Sequence, residues 1–292
     1  MELFRALAAL AEPPSASTAH LADALALGGL PTGAEHTELF VFQLNPCASI
    51  YLGADGRLGG EARDRIAGFW RAIGETPPTE PDHLTVMLAL YARLADFEDL
   101  ETLESRRSAL QMARKAFLWE HLASWLPPYL QKVQEVGAPA YRSWAGLALE
   151  ALVEEVDRVG PPEILSLHLR EAPALEDPRI AEAEGFLPSL LVPVRSGMIL
   201  TRHDLSDASR ALGLGLRMGE RRFALQSLVD QDARSTLTWL ADHAALCHSH
   251  HARHVAVFGE TAGFWSERAA QTGRLLRTLA ADIGHTEGRN IQ

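Results

Sequence analysis

The sequence predicts an all-α fold, a helical bundle with short connections that is followed by an appended C-terminal helical segment. Apolar residues recur at spacings of three and four, as in Ile66, Phe69, Trp70 and Ile73, which places them on one face of a helix. Strand signals are scarce, and prolines interrupt the helical pattern at short intervals. Because a proline ends one helix or opens the next, we expect short helices with short links.

The composition is that of an ordinary globular protein. The 292 residues are 47% hydrophobic and 22% charged, and a chain of this length buries roughly three quarters of its unfolded surface without help from a metal or a disulfide. Its two cysteines, Cys47 and Cys247, lie far apart in the sequence, and no apolar run has the length of a membrane span. The first residues lack the regions of a signal peptide. We therefore expect a cytoplasmic protein with no membrane span and no cofactor.

The net charge favours one kind of partner over another. At −11 it opposes the phosphate backbone of nucleic acids and favours cationic partners. We therefore expect no nucleic acid among its partners, and the sequence leaves a homodimer open.

Proline-rich stretches predict where individual helices end. "EPP" closes the first helix, "TPPTEP" separates two others, and "WLPPYL" ends a helix near Trp125 and lets Pro128 open the next. The stretch "ELFVFQLNPCASIYLGADGRLGG", residues 38–60, is the predicted non-helical exception. It is too apolar for an exposed loop, and Asn45, Pro46 and "GADG" prevent one continuous helix. We expect a buried, irregular segment that lines a groove.

The amino-acid composition changes after residue 158. Proline, acidic and small residues from 158 to 198 predict a long connection, and helical patterns return at 202–230 and 233–283. The predicted domains are a helical domain at residues 1–170 and a C-terminal helical extension at residues 186–292.

Three motifs resemble those of the TorD/DmsD/NarJ family of molybdoenzyme maturation chaperones. Leu39, Phe40, Pro46, Ser49, Tyr51 and Leu52 look like its "LF...P..S.YL" signature. "EPDHL" at 80–84 is similar to its second signature, a Pro-Asp-His in the hinge before a helix, and residues 117–133 are similar to its "HL..WLP" segment. Order and spacing agree from residue 35 to about residue 160.

The resemblance implies an all-helical, non-enzymatic, cytoplasmic chaperone of the TorD-like type. Its partner would be the catalytic subunit of a molybdopterin-dependent oxidoreductase, bound through its N-terminal signal or its body during cofactor insertion and assembly. The client-binding residues that follow from the matched motifs and their neighbours are Leu39, Phe40, Phe42, Pro46, Tyr51, Glu80, Pro81, Asp82, His83 and His121.

The "EPDHL" stretch also has a purely structural interpretation. Asp82 stands where a helix N-cap is expected, so its carboxylate could accept backbone N–H groups two or three residues later. Capping does not explain His83, and neighbouring residues face different sides of a helix, so the two cannot form a catalytic dyad. Our functional hypothesis is that Asp82 and His83 flank a groove completed by Phe40, Phe42 and Tyr51.

Two further features permit both a functional and a structural interpretation. An acidic cluster follows the hinge: Asp96, Glu98, Asp99, Glu101 and Glu104. It could receive the two guanidinium groups of a twin-arginine peptide, or it could be a solvated helix end. Trp125 is expected in the core, and His121, three residues before a Ser124 that looks exposed, is the better candidate for a groove wall.

A stripe of potential metal ligands lies near the C-terminus. Within "DHAALCHSHHARH" the helical spacing aligns His243, Cys247, His250 or His251, and His254. Imidazole and thiolate at such spacing can bind zinc or nickel. Paired structural sites usually draw ligands from two elements, however, and histidines often only solvate a helix, so we expect no metal.

The rival class is a helix-turn-helix DNA-binding regulator that uses residues 195–222. A capped helix, a glycine turn and a second helix follow one another there, with Arg202, Arg210, Arg217, Arg221 and Arg222 close by. A helical enzyme is a third class, but no nucleophile or general base with a matched partner is evident.

Overall fold

The computed structural model of the protein describes residues 1–180 and 185–289. In these ranges the chain forms helices joined by turns and loops, with one isolated antiparallel bridge and no strand. The predicted all-α fold class is confirmed. Residues 181–184 of the predicted connection and residues 290–292 of the predicted extension lie outside the described residues.

The first part of the chain contains ten α-helices and three helical turns of 3₁₀ or π type. A 3₁₀ turn forms at Ala16–Thr18, and π-helical turns form at Thr37–Gln43 and Leu118–Leu122. The α-helices are α1 Glu2–Ala11, α2 Ala19–Ala24, α3 Gly33–His36, α4 Ala48–Leu52, α5 Gly60–Ala72, α6 Leu84–Leu100, α7 Glu104–Phe117, α8 Leu126–Val136, α9 Pro139–Val159 and α10 Leu167–Arg170.

The second part consists of short helices followed by two long ones. They are α11 Phe186–Leu190, α12 Pro193–Ser196, α13 Arg202–Leu212, α14 Arg221–Gln231, α15 Ala233–Ala252, α16 Val255–Phe258 and α17 Glu260–Arg289. None of the helices in the described ranges is long and apolar enough to cross a membrane.

Proline positions predicted the helix ends well. α1 ends at Ala11 before "EPP", α5 and α6 flank the proline-rich link, and α8 holds both prolines of "WLPPYL" in its first turn. A proline is tolerated there because the first N–H groups of a helix have no partner within the helix.

The predicted irregular segment at residues 38–60 is corrected by the structure. Its first part belongs to the π-helical turn Thr37–Gln43 and a later part is α4, so only the residues around Asn45 and the glycine-rich end are non-helical. The helical period of the sequence did not predict the turn Thr37–Gln43, because this turn closes through a π-type hydrogen bond. The N–H of Leu44 donates to the carbonyl of Leu39 at 2.7 Å, a pattern outside the usual 3.6-residue period.

The chain separates into two compact units, of which the first holds residues 1–53, 57–171 and 256–261. Aromatic side chains dominate its interior, and α1 packs on α6 with the rings of Phe4 and Tyr91 5.1 Å apart. Trp144 on α9 donates its indole N–H to the carbonyl of Leu7 at 3.0 Å. Its fully buried large side chains include Leu7, Leu44, Ile66, Leu84, Tyr91, Phe117, Trp125, Tyr129, Tyr141, Trp144 and Phe258.

The second unit holds residues 54–56 and 172–255 and the part of α17 from residue 262 onward, within the described ranges. Its core is aliphatic and includes Leu205, Leu225, Leu240 and Leu276. Gly197 ends α12 with a φ of +72°, a conformation that favours glycine. The predicted domain boundaries, with the first domain ending at residue 170 and the extension beginning at residue 186, stay a prediction.

Candidate client-binding site

Two of the three motifs are joined by backbone hydrogen bonds. Cys47 and His83 form an isolated antiparallel bridge. The N–H of Ala48 donates to the carbonyl of Asp82 at 2.9 Å, and the N–H of Leu84 donates to the carbonyl of Pro46 at 2.8 Å. These bonds tie the start of α4 to the start of α6.

Asp82 does not cap the helix that follows it, which corrects the sequence-based assignment. Its side chain is buried, and its carboxylate accepts the backbone N–H of Ser49 at 3.1 Å. Ser49 lies in the first turn of α4, so Asp82 satisfies an N–H group that this short helix leaves without a partner. A carboxylate at that position also suits the positive end of the helix dipole.

His83 is the N-cap residue of α6, so the expectation that capping leaves His83 unexplained was wrong. Its Nδ1 accepts the backbone N–H of Thr85 at 3.4 Å and lies 2.8 Å from the hydroxyl of the same residue. The N-cap of α6 is one residue later than predicted, because the bridge holds Asp82 so that its side chain faces α4.

The third motif packs its aromatic rings on the first. Tyr51 stacks on Trp125 with centroids 5.1 Å apart and planes 14° apart, and it meets the ring of Tyr129 edge-on. The hydroxyl of Tyr129 donates to the carbonyl of Leu44 at 3.1 Å, and that of Tyr51 donates to the carbonyl of Asn45 at 2.7 Å. The three motifs therefore pack together as one interlocked cluster.

Phe40 extends this aromatic interior toward α9. Its ring meets Tyr141 edge-on at 5.1 Å and Trp144 at 6.3 Å. Burial raises the pKa of the Tyr141 hydroxyl, and it raises that of Tyr129 well above its usual value. Both phenols therefore stay neutral. Sequence periodicity gave no sign that these two residues of α8 and α9 would meet the first motif.

Exposure separates the predicted client-binding residues into two groups. Phe42 is 53% exposed, Glu80 is exposed and His83 is half-buried. The other residues named from the motifs are buried: Leu39, Phe40, Pro46, Tyr51, Pro81, Asp82 and His121. The prediction of a groove lined by Phe40 and Tyr51 is therefore wrong, because both rings are buried in the core.

Val41 is an exposed apolar residue that the sequence-based set missed. It is 61% exposed and adjoins Phe42 on the π-helical turn Thr37–Gln43. Single exposed apolar residues are common on protein surfaces, but two in succession on a π-helical turn are a candidate contact point. Its signal in the sequence was the run "LFVF", which is too apolar for all four side chains to be buried on one face.

Cys47 lies inside the interlocked cluster formed by the three motifs and offers no nucleophile. Burial, followed by the charges of Asp82 and Glu80, raises the pKa of its thiol to about 12. A thiol is reactive as its thiolate, so Cys47 serves here as a small apolar side chain.

His121 is a core residue, so the prediction that it forms a groove wall is not supported by its position. It is 5% exposed, Ser124 is fully buried, and the ring of His121 lies 5.6 Å from that of Phe69. Its Nδ1 is 3.4 Å from the Nε2 of His168, a partner that sequence spacing did not reveal. Burial, then the charges of His168 and Arg65, lowers the pKa of His121 to about 3.

The acidic cluster after the hinge is partly neutralised within the protein. Asp96 is paired with Arg5 of α1, and Glu98 is paired with Arg114 of α7 at 3.0 Å. Asp99, one turn after Asp96, is exposed. The cluster is therefore neither a wholly solvated helix end nor a free acidic surface.

The histidine and cysteine stripe lies on α15 and just beyond its end. His243 stacks on Trp239 with centroids 5.2 Å apart, and the Nε2 of His251 donates to the carbonyl of Gly197 at 3.0 Å. Within the described part of the chain, no group of three or more His, Cys, Asp or Glu side chains is placed to hold a metal ion. That no metal binds stays a prediction for the stripe His243, Cys247, His251 and His254.

The arginine-rich segment does not have helix-turn-helix geometry. The connection between α13 and α14 runs from 213 to 220, longer than the three- to four-residue turn of that motif. Arg202 donates to the carbonyl of Gly219 and Arg221 donates to that of Leu200 at 2.5 Å, so both guanidinium groups are used within the segment.

The comparisons with known proteins agree with the motifs. A family model described as nitrate reductase delta subunit matches residues 7–131. Over these residues the chain is similar to the NarJ/TorD-type family of redox enzyme maturation proteins, which is a family of chaperones rather than of catalysts. The search of curated proteins and the search of solved structures each found no significant match.

Proposed function

We propose that this protein is a cytoplasmic chaperone for the catalytic subunit of a molybdopterin-dependent oxidoreductase, and that it has no catalytic activity of its own. The observation that carries the proposal is the family match over residues 7–131, which contains the first two motifs and most of the third. The interlocking of the motifs supports it, because their polar residues satisfy one another and leave no nucleophile with a matched base.

In this proposal the buried motif residues act indirectly. Asp82, Tyr51 and Phe40 hold the chain so that Val41, Phe42, Glu80 and the edge of His83 stay accessible to a client. Two apolar side chains next to polar ones suit an unfolded or partly folded segment, which exposes apolar groups of its own. The mechanism is binding and release, and it requires no cofactor on the chaperone.

The test is capture of the client from cells that express it. Tagged wild-type protein should retain a molybdoenzyme catalytic subunit, identified by mass spectrometry, and retention should fall about tenfold in Phe42→Asp. Met112→Asp is the matched control, since Met112 is 68% exposed on α7, outside the motifs. Circular dichroism should be the same for all three proteins. Absence of any molybdoenzyme subunit with wild-type protein would refute the proposal.

The DNA-binding alternative gives an opposite expectation. The longer connection between α13 and α14 and the net charge of −11 both disfavour insertion of α14 into a major groove. We therefore expect no sequence-preferring binding to duplex DNA at moderate salt. Nanomolar binding that survives competitor DNA would favour the regulator instead.

A further inference from the structure

Two arginines of the second unit, Arg195 and Arg268, are held by backbone carbonyls instead of by acidic side chains. Arg268 on α17 is half-buried, and its Nη2 donates to the carbonyl of Ala172 at 2.7 Å. Arg195 in the last turn of α12 is also half-buried, and its Nε donates to the carbonyl of Ala54 at 2.7 Å. Among the residues that the structure describes, neither arginine is paired with a carboxylate. The carbonyls fix the two guanidinium groups in place but leave their positive charges without a counter-charge.

One nitrogen of the Arg268 guanidinium group is a buried donor without an acceptor. Its Nη1 is shielded from solvent and has no hydrogen-bond partner. The ring of Phe264 lies 5.0 Å from the guanidinium carbon, and a cation–π contact of this kind compensates only part of the cost of burying the charge. Buried polar groups in native proteins nearly always have a partner, which is the protein itself, an ordered water or an ion. Arg268 therefore has the donor of a binding site and no acceptor in the protein.

Close backbone packing brings the two arginines to the same place. Gly197 follows Arg195 by two residues, and a Cβ added to it would lie 2.8 Å from the backbone carbonyl carbon of Arg268. Glycine, with a φ of +72° here, allows α12 and α17 to approach this closely. Burial, followed by the charge of Arg195, lowers the pKa of Arg268. Two like charges that are partly buried side by side repel each other, and an anion bound to both would remove this repulsion.

We propose that Arg195 and Arg268 form a binding site for a tetrahedral oxyanion of the phosphate class. Two guanidinium groups balance the charge of a dianion, and their N–H groups match the geometry of phosphate oxygens. The Nη1 of Arg268 donates to one oxygen and the outer N–H groups of Arg195 donate to others, while the carbonyls of Ala54 and Ala172 keep both side chains in place. A single carboxylate is a poorer ligand, because it leaves one positive charge unbalanced. The site lies outside the three motifs and does not depend on the proposed chaperone function.

Calorimetric titration with inorganic phosphate tests the site directly. The full-length protein is first dialysed into a phosphate-free buffer, and ionic strength is held constant with sodium chloride. Arg268→Gln should weaken phosphate binding by about tenfold or more, and Arg195→Gln by about threefold to tenfold, because each removes charge-assisted hydrogen bonds. Arg274→Gln is the matched control and should bind like wild type, since Arg274 is an exposed arginine of α17 that is already paired with Glu267 at 2.8 Å.

Titrations with two other anions define the ligand more closely. Phenyl phosphate should bind as tightly as inorganic phosphate if the natural ligand is a phosphate ester, and more weakly if the site encloses the free ion. Either result supports the assignment, provided that Arg268→Gln weakens the binding. Acetate should bind more weakly than phosphate because it carries a single charge. Tighter binding of acetate than of phosphate would overturn the assignment and favour a carboxylate ligand.

Thermal unfolding, followed by circular dichroism, separates an anion site from an arginine that only stabilises the fold. Millimolar phosphate should raise the melting temperature of wild type and of Arg274→Gln but not that of Arg268→Gln. Comparison among these proteins cancels the general stabilising effect of phosphate. If Arg268→Gln does not fold, the same comparison with Arg195→Gln decides. No phosphate-dependent shift in wild type, or equal phosphate affinity in wild type and the arginine variants, would show that the two arginines are not an anion site.

Discussion

The buried pair His121 and His168 should make the first unit sensitive to mild acid. The two rings are in contact, with Nε2 of His168 3.4 Å from Nδ1 of His121. Burial is the main cause that lowers the pKa of both, to about 3 for His121 and about 4 for His168. Each ring is therefore neutral in the folded protein at any pH above about 5.

The sign of the effect follows from the unfolded state. An unfolded histidine has a pKa of about 6.5, so between pH 4 and pH 6.5 the unfolded chain binds more protons than the folded one. Stability then rises with pH across this window and is lost as the pH falls. At pH 5 each histidine opposes folding by about 2 kcal/mol, so the pair lowers the free energy of unfolding by about 4 kcal/mol relative to pH 7.

Neighbouring charges change the size of this pH-dependent loss of stability without changing its sign. Arg65 disfavours protonation of both rings, whereas Glu61 and Glu171 favour protonation of His168. Glu120 accepts the N–H of Leu167 at 2.6 Å, and burial raises the pKa of its carboxyl group, so it titrates in the opposite sense. A comparison between wild type and histidine variants cancels the contribution of the carboxylates.

Hydrogen exchange measured by mass spectrometry reports the opening of this unit rather than of the whole chain. After correction for intrinsic rates, protection of peptides from residues 117–136 should fall by close to a thousandfold from pH 7 to pH 5 in wild type. His121→Gln with His168→Gln should remove most of this fall, and each single variant should remove about half. An equal fall in wild type and the double variant would refute the reasoning.

Three further predictions concern stability and are measured by urea unfolding. Asp82→Ala should lower the free energy of unfolding by about 1–3 kcal/mol because the buried N–H of Ser49 loses its acceptor, whereas Asp82→Asn keeps an acceptor oxygen and should lose much less; equal losses would contradict the cross-segment cap. Gly197→Ala should cost at least about 3 kcal/mol, since its Cβ would lie 2.3 Å from the backbone nitrogen of Ala269. Gly146→Ala in α9, where a Cβ meets nothing within 4 Å, should instead stabilise by about 0.5–1 kcal/mol.

Features that depend on a few consecutive residues were predictable. The helical period of Ile66, Phe69 and Trp70 predicted α5, and Ile66 and Trp70 are buried. The prolines of "WLPPYL" predicted the start of α8. These signals are local because a helix closes its hydrogen bonds within one turn and a proline disrupts only its neighbours.

Contacts across the chain were not predictable in the same way. The sequence assigned Asp82 to the cap of α6, but the bridge between Cys47 and His83 turns its carboxylate toward Ser49. Nothing in local spacing indicates that a residue must serve a helix more than thirty positions earlier. The choice between two unsatisfied N–H groups is made by which one the folded backbone brings within reach.

By itself, then, the sequence determined the helical class, the proline-defined ends and the chaperone motifs, because each depends on residues that are neighbours along the chain. Only the tertiary structure decided that Phe40 and Tyr51 are core residues while Val41 and Phe42 face outward. All four are apolar, and apolar character alone does not say which side chains a core will take in. That is decided by the space that Trp125, Tyr129 and Tyr141 leave around them, since a close-packed interior admits only side chains that fit.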